Sequence, residues 1–379
     1  MFEKYGKYKV LPKFGEKNNG PERFGSGGLG EVFLAENIEE KGKKRMYVLK
    51  KLKEKMLPSI DEENYFNEEI RTLKFLSTFP ENKYTPKLYD SQEYPELNKN
   101  QIKETKEDVK SYYVIDFITN GCLLYYTSPC CLLEKRTAKL LFKKILEAVK
   151  FLHSKYICHL DLKPENILLD KNFEPIIIDF GSIGKYSETE KIIKDIKKRA
   201  KTKQYAAPEM NYDEIDDGEK ADIYSLGAIL FKLFTGGYVA GKSNDKKLYE
   251  LIWNKKYKDY REEIKEYNDK YNLNYFDEFK ELYFSMLAHE PDERPTIEKI
   301  LESDWMKEVS DLDKEGKKAE KEKLENEYRN EFSRVLGEIR NFYPDLIGSK
   351  KVVEEGYITR SKKDEEYTLF KKEDTKKNI

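Results

Sequence analysis

His159-Leu160-Asp161-Leu162-Lys163-Pro164-Glu165-Asn166 is the stretch on which the reading of this 379-residue chain turns. It offers a carboxylate at Asp161, an ammonium two residues on at Lys163 and a carboxamide five residues on at Asn166. Such a set can align a hydroxyl, a phosphate and a metal ion. Asp179-Phe180-Gly181 follows, with another carboxylate 18 residues after Asp161, and then Ala207-Pro208-Glu209.

Upstream, Gly25-Ser26-Gly27-Gly28-Leu29-Gly30-Glu31-Val32 has G-x-G-x-x-G-x-V spacing. Glycines let a tight turn bring backbone N–H groups against phosphate without Cβ clashes. A dinucleotide-binding turn of this kind runs straight into a helix. Here the β-forming run Val32-Phe33-Leu34 follows instead. Lys50 closes a second β-run, Tyr47-Val48-Leu49-Lys50, 25 residues after Gly25. A further 19 residues on, Glu69 lies where Tyr65, Phe66, Ile70, Leu73 and Leu76 recur at helical spacing.

The strands of residues 14–56 are joined by a charged turn at 39–44, and another strand is expected at 112–117. Residues 93–110, polar and poor in helix formers, read as a surface insertion. After Gly121 the character changes. Residues 137–153 are amphipathic, and 222–235 are apolar nearly all round, as in a helix at the centre of a larger lobe. A strand-rich small lobe (about 14–117) before a helix-rich large lobe (about 122–306) is a two-lobed α+β layout, with a hinge near 118–122. Residues 1–13 form an N-terminal segment. In the charged extension, 307–379, Leu324, Tyr328, Phe332, Val335, Leu336 and Ile339 predict a helix over about 317–343 that ends at Pro344.

In this order and spacing the motifs resemble those of the eukaryotic protein kinase superfamily over about residues 14–306. The resemblance implies the two-lobed kinase fold, with ATP and Mg²⁺ as cofactors. On it, Asp161 accepts or orients the proton of the substrate hydroxyl and Lys163 neutralises charge on the transferring phosphoryl group. Asn166 holds one Mg²⁺ and Asp179 the other. Lys50, paired with Glu69, addresses the α- and β-phosphates. Glu68 is the rival partner, and Glu69 is preferred because Leu73 then takes the family's core position. Gly25, Ser26, Gly27, Gly28 and Gly30 belong with the phosphates in the cofactor-binding set. Val32, Val48, Asp116, Ile118 and the floor residue Leu168 complete that set, and Val48, where alanine is usual, tightens the roof. Lys163 and Thr202, in Thr202-Lys203-Gln204-Tyr205-Ala206-Ala207-Pro208-Glu209, match the serine/threonine form. Asp222 resembles the central-helix anchor of the catalytic loop, and Arg294 the partner of Glu209.

The departures matter as much. Leu160 stands where most members carry the arginine that pairs with a phosphorylated activation segment. The calcium/calmodulin-dependent group also carries Leu or Phe there, and this loop resembles theirs. Activity without activation-loop phosphorylation is the expectation. Cys122 and Lys232 stand where members that prefer basic peptides usually carry acids, leaving Glu165, so only weak preference for arginine is expected. Residues 191–203 are rich in Lys and Arg; a solvated run is the plainer reading and a docking surface for acidic substrates the sharper one. Residues 320–340 mix Glu and Lys evenly, unlike a basic calmodulin target. That helix is read as a packing brace, with autoinhibition and dimerisation as the other roles.

Lys+Arg 71 against Asp+Glu 72, net −1, argues for neither nucleic acid nor a polybasic anchor. No apolar run approaches the ~20 residues of a membrane span, and Met1-Phe2-Glu3-Lys4 has no signal core. The four cysteines suggest reduced thiols in the cytoplasm or nucleus. The expectation is an ATP-dependent serine/threonine kinase acting on protein substrates, with its C-terminal helix as a brace and intramolecular regulation by that helix as the other reading. A kinase-fold scaffold without phosphotransfer is the alternative.

Overall fold

The computed structural model describes residues 3–11, 23–26, 30–40, 45–53, 60–93, 111–127, 133–196, 201–235 and 276–342. Gly27, Gly28, Cys130, Cys131, most of the expected insertion and the tail beyond 342 therefore lie outside the description. The chain divides into two compact units. Among the described residues, one comprises those up to Thr119 with Asp179–Gly181 and 340–342; the other comprises those within Asn120–Ile178 and Ser182–Ile339.

The first unit is built on an antiparallel sheet. Its strands are β1 (Lys4–Tyr5), β2 (Tyr8–Val10), β3 (Arg23–Ser26), β4 (Gly30–Asn37), β5 (Met46–Leu52), β6 (Leu88–Gln92) and β7 (Tyr112–Asp116). They run in the order β1-β2-β4-β5-β7-β6, with β3 paired to β4. Strand residues alternate between faces, so register decides which side chains meet. Val32, Lys50 and Tyr113 are neighbours across β4, β5 and β7, as are Leu34, Val48 and Ile115. Phe33, Ala35, Tyr47, Leu49, Tyr112 and Val114 form a core on the opposite face with Tyr5, Tyr8 and Val10.

The sequence reading placed no strand at the N-terminus. Tyr5, Tyr8 and Val10 make one there by covering that apolar face. Gly6, at φ +54, forms the turn, where a Cβ would lie 2.9 Å from Tyr112 Oη. Helix α1 (Ile60–Leu76) buries Phe66, Ile70, Leu73 and Leu76, the stripe read from its spacing.

The second unit is mainly helical. Its helices are α2 (Lys135–His153), α3 (Gly218–Thr235), α4 (Phe276–Met286), α5 (Ile297–Leu301), α6 (Lys307–Ser310) and α7 (Lys318–Phe342, in this unit as far as Ile339). Short strands β8 (Ile157–Cys158), β9 (Ile167–Leu169), β10 (Pro175–Ile177) and β11 (Gly184–Lys185) pair as β9-β10 and β8-β11. Helix α3 is buried from Ala221 to Phe234, which explains why its sequence lacks a polar face. Phe234, Phe279 and Trp305 join it to the chain that follows. No helix among the described residues is long and apolar enough to cross a membrane.

Candidate active site

In the first unit, Lys50 Nζ lies 2.8 Å from both Glu69 oxygens and 3.1 Å from Asp179 Oδ1. Glu69 is fully buried and Lys50 8% exposed. Burial alone would lower the Lys50 pKa; the carboxylates of Asp179 and Glu69 outweigh it and hold the ammonium charged, well above the ordinary lysine value. Of the two candidate glutamates, the ion pair is made by Glu69. Asp179 sits at φ +67, a left-handed conformation that Asp adopts more readily than most residues.

Two further residues build this corner. Tyr113 donates its hydroxyl to Glu69 Oε1 at 2.8 Å, adding a second hydrogen bond to an oxygen that Lys50 also holds. Nothing in the sequence separates Tyr113 from Tyr112; only the β5–β7 register puts it opposite Lys50. At Gly30 an added Cβ would lie 3.0 Å from Lys50 Cγ, from Lys50 Cε and from the Lys51 carbonyl, so the lysine stem needs a glycine there. Gly25 and Ser26 are in β3, opposite Val32 and Glu31. Val32, Val48 and Ile118 are half-buried. The carboxylate of Asp116 faces elsewhere, accepting from Tyr89 Oη at 2.8 Å, the Lys87 N–H at 2.9 Å and Arg45 at 3.0 Å.

The second unit holds the opening octapeptide. Asp161 Oδ2 accepts from Lys163 Nζ at 2.6 Å and Asn166 Nδ2 at 3.3 Å, and its Oδ1 accepts from the Thr202 N–H at 2.9 Å. Lys163 Nζ also donates to Thr202 Oγ1 at 2.8 Å. Thr202 thus meets Asp161 through its backbone, while its hydroxyl receives the lysine. Asn166 Nδ2 donates to the Asp161 carbonyl at 2.9 Å, which turns the amide oxygen the other way. Leu168, half-buried in β9, is bridged to Cys122.

Asp222 supports the loop from α3. It accepts from the His159 and Leu160 N–H groups at 2.8 Å each, and its Oδ2 lies 2.9 Å from His153 Nε2. Glu209 and Arg294 form a two-pronged pair at 2.6 and 2.8 Å. Arg294 also donates to the carbonyls of Ala288, Lys220 and His289. All five guanidinium donors are therefore used inside the protein.

Leu160 is buried at φ +62. Its side chain lies against Gly184, where an added Cβ would stand 2.9 Å from Leu160 Cδ1 and 2.5 Å from Ile193 Cδ1. Ile193 also lies against Gly218, beside Cys158. It exchanges both backbone hydrogen bonds with Ile215 at 2.9 Å, and the Ile196 N–H donates to the Asp213 carbonyl at 2.8 Å. The segment after Asp179-Phe180-Gly181 is thus seated on an apolar pocket where an arginine would have put charge.

Within the octapeptide, Glu165 Oε2 is buried without a hydrogen-bond partner. Lys232 is 5% exposed, and burial lowers its pKa to about 8 against the opposing pull of Glu165. Burial, with Glu165 adding to it, pushes the Cys122 thiol up to about 12.

Residues 20–306 match the family described as protein kinase domain. The chain is 31% identical over 250 residues to "Probable serine/threonine-protein kinase HSL1" of Saccharomyces cerevisiae, covering 65% of this chain and 15% of that protein. It is 33% identical over 200 residues to CBL-interacting protein kinase 12 of Oryza sativa subsp. japonica, covering 52% and 34% respectively. CBL-interacting protein kinase 26 of the same organism is 32% identical over 203 residues, covering 54% and 38%. The chain spans less than two-fifths of each of these relatives.

Proposed function

Because the chain belongs to the protein kinase domain family, whose two-lobed fold it has, we propose that it is an active kinase transferring the γ-phosphoryl group of ATP to serine and threonine hydroxyls of proteins. The observation that carries this reading is the arrangement at Asp161. One carboxylate oxygen takes the Thr202 N–H and the other takes Lys163 and Asn166, so the group is oriented from both sides.

The roles follow from that geometry. Asp161 positions the acceptor hydroxyl and takes its proton as the phosphorus–oxygen bond forms. Lys163 answers the charge spreading over the transferred group. Lys50, kept cationic by two carboxylates, binds phosphate oxygens of ATP. The Asn166 amide oxygen and the Asp179 carboxylate are the hard oxygen donors that suit Mg²⁺. When bound, Mg²⁺ neutralises charge on the phosphates. Phosphoryl transfer needs little covalent help, so positioning and charge account for most of the rate.

Activity without activation-loop phosphorylation is part of the proposal. Its support is the seating of Ile193 and Leu160, which does the work of a phosphate–arginine pair by apolar burial. The loop's likeness to the calcium/calmodulin-dependent group points the same way. Replacing Ser182, Ser187 or Thr189 singly with alanine should leave activity intact; loss at Ser187 or Thr189 would overturn this part. A weak preference for arginine peptides is also proposed, since Lys232 offsets the acidic Glu165.

Incorporation from labelled ATP, compared between the wild type and Asp161→Asn, tests the main reading. A drop of roughly 10²- to 10⁴-fold is expected from losing the base. Equal incorporation by both proteins, or none by either, would favour a scaffold that binds nucleotide without transfer.

A further inference from the structure

Helix α7 lies outside the residues that match the family. One face of it, Leu324, Tyr328, Phe332, Val335, Leu336 and Ile339, is buried in the second unit. What that face touches is specific. Phe332 stacks on Phe173 at 5.1 Å between ring centres and meets Tyr126 at 5.2 Å. Tyr328 packs on Phe332 and donates its buried hydroxyl to the Phe173 carbonyl at 2.7 Å.

Tyr126 and Phe173 belong to two segments that hold Leu168 between them. Tyr126 donates to the Asn120 carbonyl at 2.9 Å. The Asn120 N–H donates to the Leu169 carbonyl at 3.0 Å, and the Leu169 N–H to the Gly121 carbonyl at 2.9 Å. The Asn120 side chain reaches the Asp170 carbonyl at 2.6 Å.

Phe173 is the sharper sign. It occupies the turn between β9 and β10 at φ +63, a conformation that glycine or asparagine takes easily and a bulky side chain does not. Strain of this kind persists where the surroundings over-determine it. Here the surroundings are Phe332 against the ring and Tyr328 on the carbonyl. The turn gives up the easier residue and gains a ring for the helix to grip.

We propose that Phe332 and Tyr328 are positioning residues for the nucleotide: α7 clamps residues 120–127 to the β9–β10 hairpin and thereby sets the place of Leu168 under the adenine. This rests on the kinase reading for the identity of the ligand. Lys144 of α2 favours the same seating, since it bridges Glu174 of the hairpin at 2.8 Å and Glu325 of α7 at 2.9 Å.

The test uses the full chain and titrates a fluorescent N-methylanthraniloyl ATP, so it needs no phosphate transfer. Phe332→Ala is expected to weaken nucleotide binding and raise the KM for ATP by roughly tenfold through the misplaced floor. The peptide KM and the kcat at saturating ATP should move by less than about twofold. Phe332→Leu should restore most of the binding. Tyr328→Phe, which deletes a single hydroxyl, keeps the test open if the alanine variant does not fold, and should weaken binding by roughly threefold. Unchanged nucleotide affinity in folded Phe332→Ala and Tyr328→Phe would reduce α7 to a structural brace. Tighter binding or a raised kcat would make it a restraint, and either result overturns the proposal. A wild type that binds the analogue and transfers nothing would sink the kinase reading alone.

Discussion

Truncating Ile193 to alanine removes three carbons from a pocket closed by Leu160, Gly184, Gly218 and Cys158. The side chain is 2% exposed, so the loss is that of a fully packed residue. Such truncations cost about 2–5 kcal/mol, the higher values where the walls cannot collapse. Gly184 and Gly218 are backbone walls, and Ile193 is pinned to Ile215 by two backbone bonds. A middle value of about 3 kcal/mol is therefore reasonable, and it corresponds to roughly 10²-fold in the ratio of seated to unseated segment.

The segment carries Thr202, which orients Asp161, so catalysis should fall with seating. We expect the kcat/KM of unphosphorylated protein to drop at least tenfold, and the N–H groups of Ile193, Ile196 and Ile215 to exchange faster with deuterium. Gly184→Ala should act alike by displacing Ile193 rather than deleting it. Full activity in Ile193→Ala with fast exchange would show that seating is not required. Slow exchange with lost activity would show that the pocket does not govern seating, and either outcome refutes the reasoning.

Glu209→Ala strands the buried Arg294 guanidinium without its carboxylate and should destabilise the protein by about 3–5 kcal/mol. Glu209→Ala combined with Arg294→Met should recover part of that loss in urea unfolding; no recovery would argue against an orphaned charge. Lys232 has a folded pKa of about 8 against 10.5 ordinarily, so below pH 8 both states hold the proton and burial opposes folding in full. Between pH 8 and 10.5 the unfolded chain binds more protons, and stability rises with pH. Lys232→Met should be more stable than the wild type at pH 7 by on the order of 3 kcal/mol, with the gap closing by pH 10; a constant gap would refute it.

Much of the site could be read from spacing. The octapeptide folds as one tight loop, so its carboxylate, ammonium and amide converge through local geometry. Lys50 and Glu69 could be paired because a strand end and a helical stripe each fix a direction, and placing Leu73 at the core position already favoured Glu69 over Glu68, as the ion pair has it. Tyr113 is not legible in the sequence, since its role depends on a register between β5 and β7, strands separated by a long interval that holds α1 and β6. The N-terminal strands escaped for a different reason: two and three residues are too short to show a period.

Leu160 marks the division between the two sources of knowledge. From the octapeptide alone it was known to lack the charge that answers a phosphate. Chain order and residue chemistry suffice for that, as they do for the family. That Leu160 instead packs with Ile193 over Gly184, and that α7 grips the strained turn at Phe173, depends on segments far apart in sequence meeting at van der Waals distance. Burial energy is non-directional and scales with the area that happens to be covered. A linear pattern can therefore announce an apolar face but not its occupant.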